Sequence, residues 1–310
     1  MNAIEIKQLN KNYRTVKAIE DISFSVAEGE LFGLVGPDGA GKSTIFNILT
    51  TLLQPDSGKV SVLGLDVIKD YLKIRRKIGY LPGTFSLYPD LTVEENLRFF
   101  AVMYKSSIKE NMDLIRPLWN QLSPFKKRPA GKLSGGMKQK LALCCALIHK
   151  PELLFLDEPT TGVDPVSRKE FWDILNSIQT QNITVLVSTP YMDEASRCNR
   201  IALIQNGHII KIDTPQQIIL DFEGQLFRIE TTDIFHLLTI MENCQLNCNY
   251  YPYGNHLHIA FYGNIAELLP QFTQFLDNQQ VSYKNLEAIN PTIEDCFIEL
   301  INKKEIRKVE

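Results

Sequence analysis

Apolar and polar residues alternate through Met1-Asn-Ala-Ile-Glu-Ile-Lys7, the two-residue period of a half-buried strand. The opening has no apolar core segment, so it predicts a strand rather than a secretory leader. Phe32-Gly-Leu-Val35 is an apolar run that predicts a buried strand, and residues 43–53 read as the helix that follows. Residues 153–156 predict a second buried strand, whereas the apolar run 141–148 continues a helical pattern. Residues 91–121 also read as helices. Residues 201–213, with Asn206-Gly207 at the turn, carry a hairpin signal, and Thr214-Pro215 starts a short helix. From about Gln225 the pattern changes: strand 226–231, helix 233–243, a hairpin over 248–262 broken near Gly254-Asn255, helix 265–278, strand 281–289 and helix 291–301. That β-α-β-β-α-β order predicts a small ferredoxin-like sandwich with an added helix.

Composition narrows the class. At 310 residues and 44% hydrophobic, the chain predicts a soluble protein of about two domains. No stretch approaches the roughly 18 apolar residues that span a bilayer. A net charge of −3 and a pI near 6.0 give no electrostatic case for nucleic acid. The six cysteines show no disulfide framework, which suits a reducing compartment. Cys244 and Cys248 alone have metal-like spacing, and no second Cys/His pair completes a site. His256 and His258 alternate on a strand and are expected on the sheet surface.

The chemistry concentrates in three segments. Gly36, Pro37, Asp38, Gly39, Ala40, Gly41, Lys42, Ser43 and Thr44 form a glycine-rich loop between the first buried strand and its helix. Such a loop folds tightly enough for its N–H groups to converge on phosphates, and the helix N-terminus adds positive potential. Lys42 would then reach the β and γ phosphates of a nucleotide, and the Ser43 hydroxyl would ligate Mg²⁺. The strand at 153–156 ends in Asp157 and Glu158, suited to hold Mg²⁺ and to orient an attacking water as general base. Asp164 before Pro165 reads as a helix N-cap with proline at the first helical position. Ser134-Gly135-Gly136-Met137 opens another helix, a second anion-binding helix start.

In this order, the phosphate loop, Leu133-Ser-Gly-Gly, Leu156-Asp157-Glu158 and Gly162-Val-Asp164 resemble the ATP-binding cassette of ABC transporters over about residues 1–222. The resemblance implies an α/β P-loop NTPase cassette with a core sheet, an antiparallel β subdomain and a helical subdomain at about 84–150. Residues 223–310 would add the α+β ferredoxin-like domain, regulatory or dimer-supporting. The resemblance further implies a head-to-tail cassette dimer with two Mg-ATP molecules between the chains. Each ATP would lie between one chain's phosphate loop and the other chain's Ser134, Gly135 and Gly136. Asp164 would belong to the dimer loop, and Tyr13 matches the aromatic that stacks on adenine.

Ile78-Gly-Tyr-Leu-Pro82, Leu87-Tyr-Pro-Asp-Leu-Thr-Val-Glu-Glu-Asn96 and Tyr191-Met-Asp-Glu-Ala195 are similar to ATPase subunits of ABC-2-type exporters, the multidrug and antibiotic-resistance class. Asp38 and Met137-Lys-Gln-Lys-Leu141 most resemble the first cassette of two-cassette exporter ATPases of Gram-negative bacteria. The implied setting is peripheral, on the cytoplasmic face of the plasma membrane, driving a separate ABC-2-type permease. Residues 83–96 should receive that permease, with Phe85, Leu87 and Tyr88 as an apolar contact patch. Basic runs at 73–77, 126–128 and 303–308 read as solvated faces, with anionic lipid as the alternative.

Two positions depart from the family pattern. Gly83 stands where the family carries a glutamine that touches Mg²⁺ and the attacking water, and Pro190 where it carries a histidine on the γ-phosphate. Thr84 or Ser86 offers a hydroxyl in place of the glutamine; proline offers neither a side-chain donor nor an N–H. The expectation is a site that holds Mg-ATP well and hydrolyses it poorly. Because this chain's signature would serve the other ATP, an asymmetric heterodimer with a competent second cassette is favoured over a homodimer. The alternative class is a nucleotide-sensing regulatory module without productive turnover. Translation factors of the superfamily need two cassettes in one chain, and chromosome-maintenance ATPases a long coiled-coil insertion, so both fit badly.

Overall fold

The computed structural model describes residues 1–231 and 233–309, with side chains described through Lys303. The chain divides into two compact units, Met1–Pro215 and Gln216–Glu310.

The first unit is built on a six-stranded sheet in the order His208–Asp213, Arg200–Gln205, Leu31–Val35, Thr184–Thr189, Leu153–Asp157, Ile78–Leu81. Its strands run parallel except the first, which closes the hairpin turned at Asn206-Gly207. Strands Leu31–Val35, Leu153–Asp157 and Thr184–Thr189 are buried at every residue. That is why Phe32–Val35 and Leu153–Leu156 read as apolar runs: a parallel sheet is covered on both faces. Beside it lies an antiparallel sheet in the order Val16–Ala27, Asn2–Tyr13, Ser57–Val62, Leu65–Asp66. Its inward residues Ile4, Ile6 and, past a shift in register, Leu9 share one core with Phe32, Phe46 and Phe155.

Helices Val93–Met103, Met112–Leu122 and Gly135–Leu147 form the helical segment. Thr92 and Glu95 make a capping box at the first of them, satisfying two N–H groups that the helix leaves unpaired. Gly135–Leu147 is apolar nearly all round and correspondingly buried, with Lys140 neutralised by Glu170 and bonded to Gln121 at 2.6 Å. One expectation fails here. Phe85 and Tyr88 are exposed at 39% and 47%, but Leu87 is 6% exposed and belongs to the core rather than to a contact patch. In the basic run at 73–77, Lys73, Arg75 and Lys77 are exposed and pair with Asp70, Thr51 and Glu152. Of the run at 303–308, only the Lys303 side chain lies within the described residues, and it pairs with Glu223 and Glu299.

The second unit carries a four-stranded antiparallel sheet in the order Cys248–Tyr253, His256–Phe261, Gln225–Thr231, Tyr283–Ala288. Numbered by their own sequence, the strands lie 2-3-1-4, the ferredoxin-like arrangement that a βαββαβ chain adopts. Phe227, Ile229, Leu257, Ile259 and Phe261 face helices Ile234–Met241 and Ile265–Asn278. On the other face, Leu226, Tyr251 and Ala260 meet Ile298 of the closing helix Ile293–Val309.

That closing helix overturns the surface placement of His258, which is 4% exposed. Its Nδ1 lies 2.7 Å from Asp295 Oδ1, the same oxygen accepts the Tyr251 hydroxyl at 2.7 Å, and Tyr253 stacks on the ring at 4.3 Å. Thr292 donates to the other carboxylate oxygen from its N–H and its hydroxyl. Strand alternation placed His256 and His258 on one face correctly but carried no sign that a later helix covers His258. Burial acts to raise the Asp295 pKa, but the bonds from His258, Thr292 and Tyr251 outweigh it and hold the carboxyl below its ordinary value of 3.8. A depressed carboxyl contributes stability that is full above its unfolded value and lost as pH falls through the folded one. Asp295→Ala should therefore cost on the order of 3 kcal/mol, because it strands several buried donors. Urea unfolding at pH 7 and in acid below the carboxylate range checks both points: the deficit should shrink in acid.

Candidate functional site: a phosphate-binding cleft

The phosphate loop begins where the Leu31–Val35 strand ends. At Gly36 a Cβ would stand 2.1 Å from the Ile204 carbonyl oxygen, so only glycine allows the loop to pass the neighbouring strand. Gly41 has φ +105° and caps helix Lys42–Leu49 with no side-chain hydrogen bond. The first-turn N–H groups of that helix thus have no side-chain acceptor, which leaves them to an anion. Gly39, at φ +78°, has open space around the place a Cβ would take. This glycine cradle fits a phosphate chain.

Lys42, 3% exposed, uses its three ammonium donors on the Gly36 oxygen at 2.8 Å, the Pro37 oxygen at 3.0 Å and Glu158 Oε1 at 3.2 Å. An anion entering here would compete with Glu158 for that ammonium. Glu158 follows the Leu153–Asp157 strand with φ +48°, a left-handed backbone uncommon for glutamate. Ser188 pins the turn: the Glu158 N–H donates to Ser188 Oγ at 2.9 Å, and that hydroxyl donates to Asp157 Oδ1 at 2.6 Å. Asp157 is 5% exposed. The phenol of Tyr80, on the adjacent strand, is pushed up to about 12 by burial first and by the Asp157 carboxylate second. A serine hydroxyl and a carboxylate are hard oxygen donors suited to Mg²⁺, so Ser43 and Asp157 are the residues that would hold it.

Tyr13, Gly39, Gly41, Lys42, Ser43, Thr44 and Glu158 line one cleft of about 450 Å³. Val16, Lys17, Ala18, Asn206 and Gly207 complete its wall. Tyr13 is 46% exposed there, open to a flat partner. Pro37 and Asp38 are exposed in the loop, Ala40 is buried beneath it, and none of the three lines the cleft. Ser134, Gly135, Gly136 and Met137 are not part of it either. Ser134 caps helix Gly135–Leu147 by accepting from the Met137 N–H at 3.4 Å, and Gly136 packs so closely on Ser167 that a Cβ would come within 2.8 Å. Asp164 caps helix Pro165–Gln179 through the Ser167 N–H at 3.0 Å, a bond that holds its carboxyl below the usual range.

Both departed positions border the cleft machinery. A Cβ on Gly83 would sit 3.2 Å from the Asp157 carbonyl oxygen and 3.9 Å from Glu158 Cβ. Pro190 follows Thr189, whose carbonyl accepts the Gly36 N–H at 3.3 Å, and Ser188, which holds Glu158. The next turn is tied down by Glu194, 3% exposed, which takes the hydroxyls of Thr160 and Thr189 and lies 3.4 Å from Arg168. Sequence reasoning missed Ser188 and Glu194 as fixing residues, and the Asn206-Gly207 turn as part of the cleft wall. The signal for that turn was present as a hairpin dipeptide, but its contact with the loop (Gly207 N–H to the Ala40 oxygen, 3.1 Å) is long-range.

The family model described as "ABC transporter" matches residues 19–161. The Nod factor export ATP-binding protein I of Rhizobium etli is 32% identical over 319 residues, covering 98% of this chain and 95% of that protein. The chain belongs to the ABC transporter family. It is an ABC ATPase cassette, and the cleft lies beside its glycine-rich loop. The probable multidrug ABC transporter ATP-binding protein YbhF of Escherichia coli K12 is 44% identical over 217 residues, 69% of this chain. The chain spans only 38% of that relative's length. Among solved structures, the dimeric ATP-binding cassette MJ0796 in a post-hydrolysis state with ADP and Pi superposes with a TM-score of 0.62 at 26% identity. It covers 68% of this chain, and 98% of the cassette is matched. Among the described residues of this ABC chain, no helix is long and apolar enough to cross a membrane.

Proposed function

We propose that this chain is the ATP-binding subunit of an ABC-2-type exporter. It works at the inner face of the plasma membrane and couples Mg-ATP binding in a head-to-tail cassette dimer to a separate permease. The observation that carries the proposal is the division of parts. Lys42, Ser43 and Glu158 gather at one cleft, with Asp157 next to Glu158 at the end of its strand, while Ser134, Gly135 and Gly136 present a capped helix start elsewhere on the same unit. A second cassette supplying its own Ser-Gly-Gly would close the cleft, as the dimeric state of MJ0796 suggests by likeness. The exporter assignment leans on the names of the relatives, multidrug transport and Nod factor export.

In this reading Ser43 and Asp157 would hold Mg²⁺, which when bound would neutralise charge at the phosphates. Lys42 and the loop amides bind and orient the nucleotide, and Tyr13 carries the adenine. Glu158 holds the attacking water and receives its proton. Gly83 and Pro190 leave that water without two of its usual orienting contacts, so this chain's own site turns over slowly. Its intact signature completes a competent site on a second, different cassette. The 223–310 domain serves as an accessory to the cassette. Purified chain should bind Mg-ATP and release phosphate slowly; a homodimer hydrolysing ATP at ordinary exporter rates overturns the asymmetric reading.

The permease contact extends beyond the 83–96 loop. Phe99, Val102 and Met103 are 39%, 72% and 52% exposed on one helix, and Tyr88 meets Phe99 edge-on at 4.8 Å. So much apolar surface at one place suits a buried partner. Val102→Asp should reduce recovery of the chain with its permease in detergent by roughly ten-fold, about the effect of one buried charge at an interface. Mg-ATP binding should be unchanged. Equal recovery of Val102→Asp and the unsubstituted chain moves the docking surface elsewhere.

A further inference from the structure

Helix Tyr71–Lys77 packs on the first unit by one side only. Ile74 is fully buried, as is most of Val67 in the turn before the helix. Around the rest of the segment Ile68, Tyr71 and Leu72 are 49%, 42% and 57% exposed. Asp66 fixes the turn by accepting the N–H groups of Ile68 and Lys69, each at 2.9 Å. Arg75 fixes the helix: its Nε and Nη2 donate to Thr51 at 2.8 Å, and its guanidinium lies 5.4 Å over the Tyr71 ring. The exposed apolar side chains therefore sit on a braced segment.

Positive charge gathers on the same segment. Residues 68–77 carry five basic side chains and one acidic one, Asp70, in a chain of net charge −3. Lys73 pairs with Asp70 and Lys77 with Glu152. Lys69 and Arg76 are exposed, and among the described residues neither side chain forms an ion pair. Arg76 also lines a polar cavity of about 510 Å³ together with Lys105, Glu110 and Met103. Met103 belongs to the exposed apolar face, with Phe99 and Val102, that is proposed to meet the permease. The basic segment and that face thus border one groove.

We infer that residues 68–76 rest on the headgroup region of an anionic lipid bilayer, beside the permease. Their position there rests on the permease reading: a permease lies in the bilayer, so a surface next to its docking face is close to lipid. The chemistry comes from the chain itself. Basic side chains gain from the negative surface potential of such a membrane within about one Debye length, roughly 8 Å at physiological salt. Ile68, Tyr71 and Leu72 enter the boundary between headgroups and acyl chains, while the long basic side chains keep their charges among the phosphates. An acidic protein segment would match the cations alone. The interleaved Ile68 and Leu72 suit a surface that is charged outside and apolar just beneath.

The test is co-sedimentation of the purified full chain with permease-free vesicles, either of phosphatidylcholine alone or with roughly one-third phosphatidylglycerol. The chain should bind the mixed vesicles and not the neutral ones, and high salt should release it. Lys69→Glu combined with Arg76→Glu should weaken binding by roughly ten-fold or more, since each cation near such a surface contributes about five-fold. Leu72→Ser should weaken it by roughly five-fold through lost apolar burial. Lys126→Glu combined with Lys127→Glu makes the same change of charge in another exposed run and should leave vesicle binding nearly unchanged. Unaltered Mg-ATP binding in each variant shows that the cassette still folds. No binding to mixed vesicles, equal binding to neutral ones, or equal loss in the two charge-reversed pairs overturns the inference. Vesicle binding by a chain that recovers no permease removes the permease reading alone; recovery of permease by a chain that binds no vesicles removes the lipid contact alone.

Discussion

Placing glutamine at position 83 and histidine at position 190 together should raise ATP turnover of this chain by roughly 100-fold or more, without tightening nucleotide binding in proportion. Removing one preorganised transition-state contact costs about 10²–10³ in rate, and such losses do not add. The backbone can accept both residues. Gly83 has no positive φ, and its nearest obstacle is the Asp157 carbonyl at 3.2 Å from a new Cβ, a distance that a shift of a few tenths of an ångström relieves. Histidine at 190 restores both a side chain and an N–H beside Thr189, the residue whose carbonyl anchors the phosphate loop. Steady-state phosphate release by Gly83→Gln, Pro190→His and the double variant decides the matter. A gain only in the double variant means that the two contacts act as a unit. Ordinary turnover in the unsubstituted chain means that other groups replace the missing pair.

Lys42→Ala should weaken Mg-ATP binding by roughly 100-fold, as a fluorescent nucleotide titration would read. Hydrogen bonds to charged groups contribute about 1.5–3 kcal/mol each, and the ammonium is the buried cation of the cleft. The variant also frees Glu158 from its pairing with Lys42 at 3.2 Å. Lys42→Ala should therefore fail in binding before it fails in chemistry. Glu158→Gln separates the two effects, for it should bind Mg-ATP at least as well as the unsubstituted chain while losing turnover. If Lys42→Ala binds normally, the loop amides alone carry the phosphates.

The strands and the phosphate loop were legible because their physics is local or periodic. Burial on both faces made Leu31–Val35 and Leu153–Leu156 apolar runs, and Gly36 and Gly41 sit where a side chain would collide. Helix Ile265–Asn278 was legible to the residue, since an amphipathic stripe and the Asn264 cap mark it. What escaped was set by distant chain segments. Leu87 looked like its exposed neighbours Phe85 and Tyr88, and nothing nearby said that it turns inward. His258 alternated like a surface residue until the closing helix brought Asp295 onto it. Ser188 passed for an ordinary strand residue, although its hydroxyl ties Asp157 to the Glu158 turn from 31 residues away.

The separation of Ser134, Gly135 and Gly136 from the Lys42 cleft has a thermodynamic consequence. If a nucleotide is completed only by a second chain, ligand affinity ceases to be a property of the single polypeptide. Whatever factor association adds to nucleotide affinity, nucleotide must add to association, because the two equilibria share one cycle. Apparent affinity would then climb with protein concentration, and a cell could adjust nucleotide occupancy by how much of each cassette it makes.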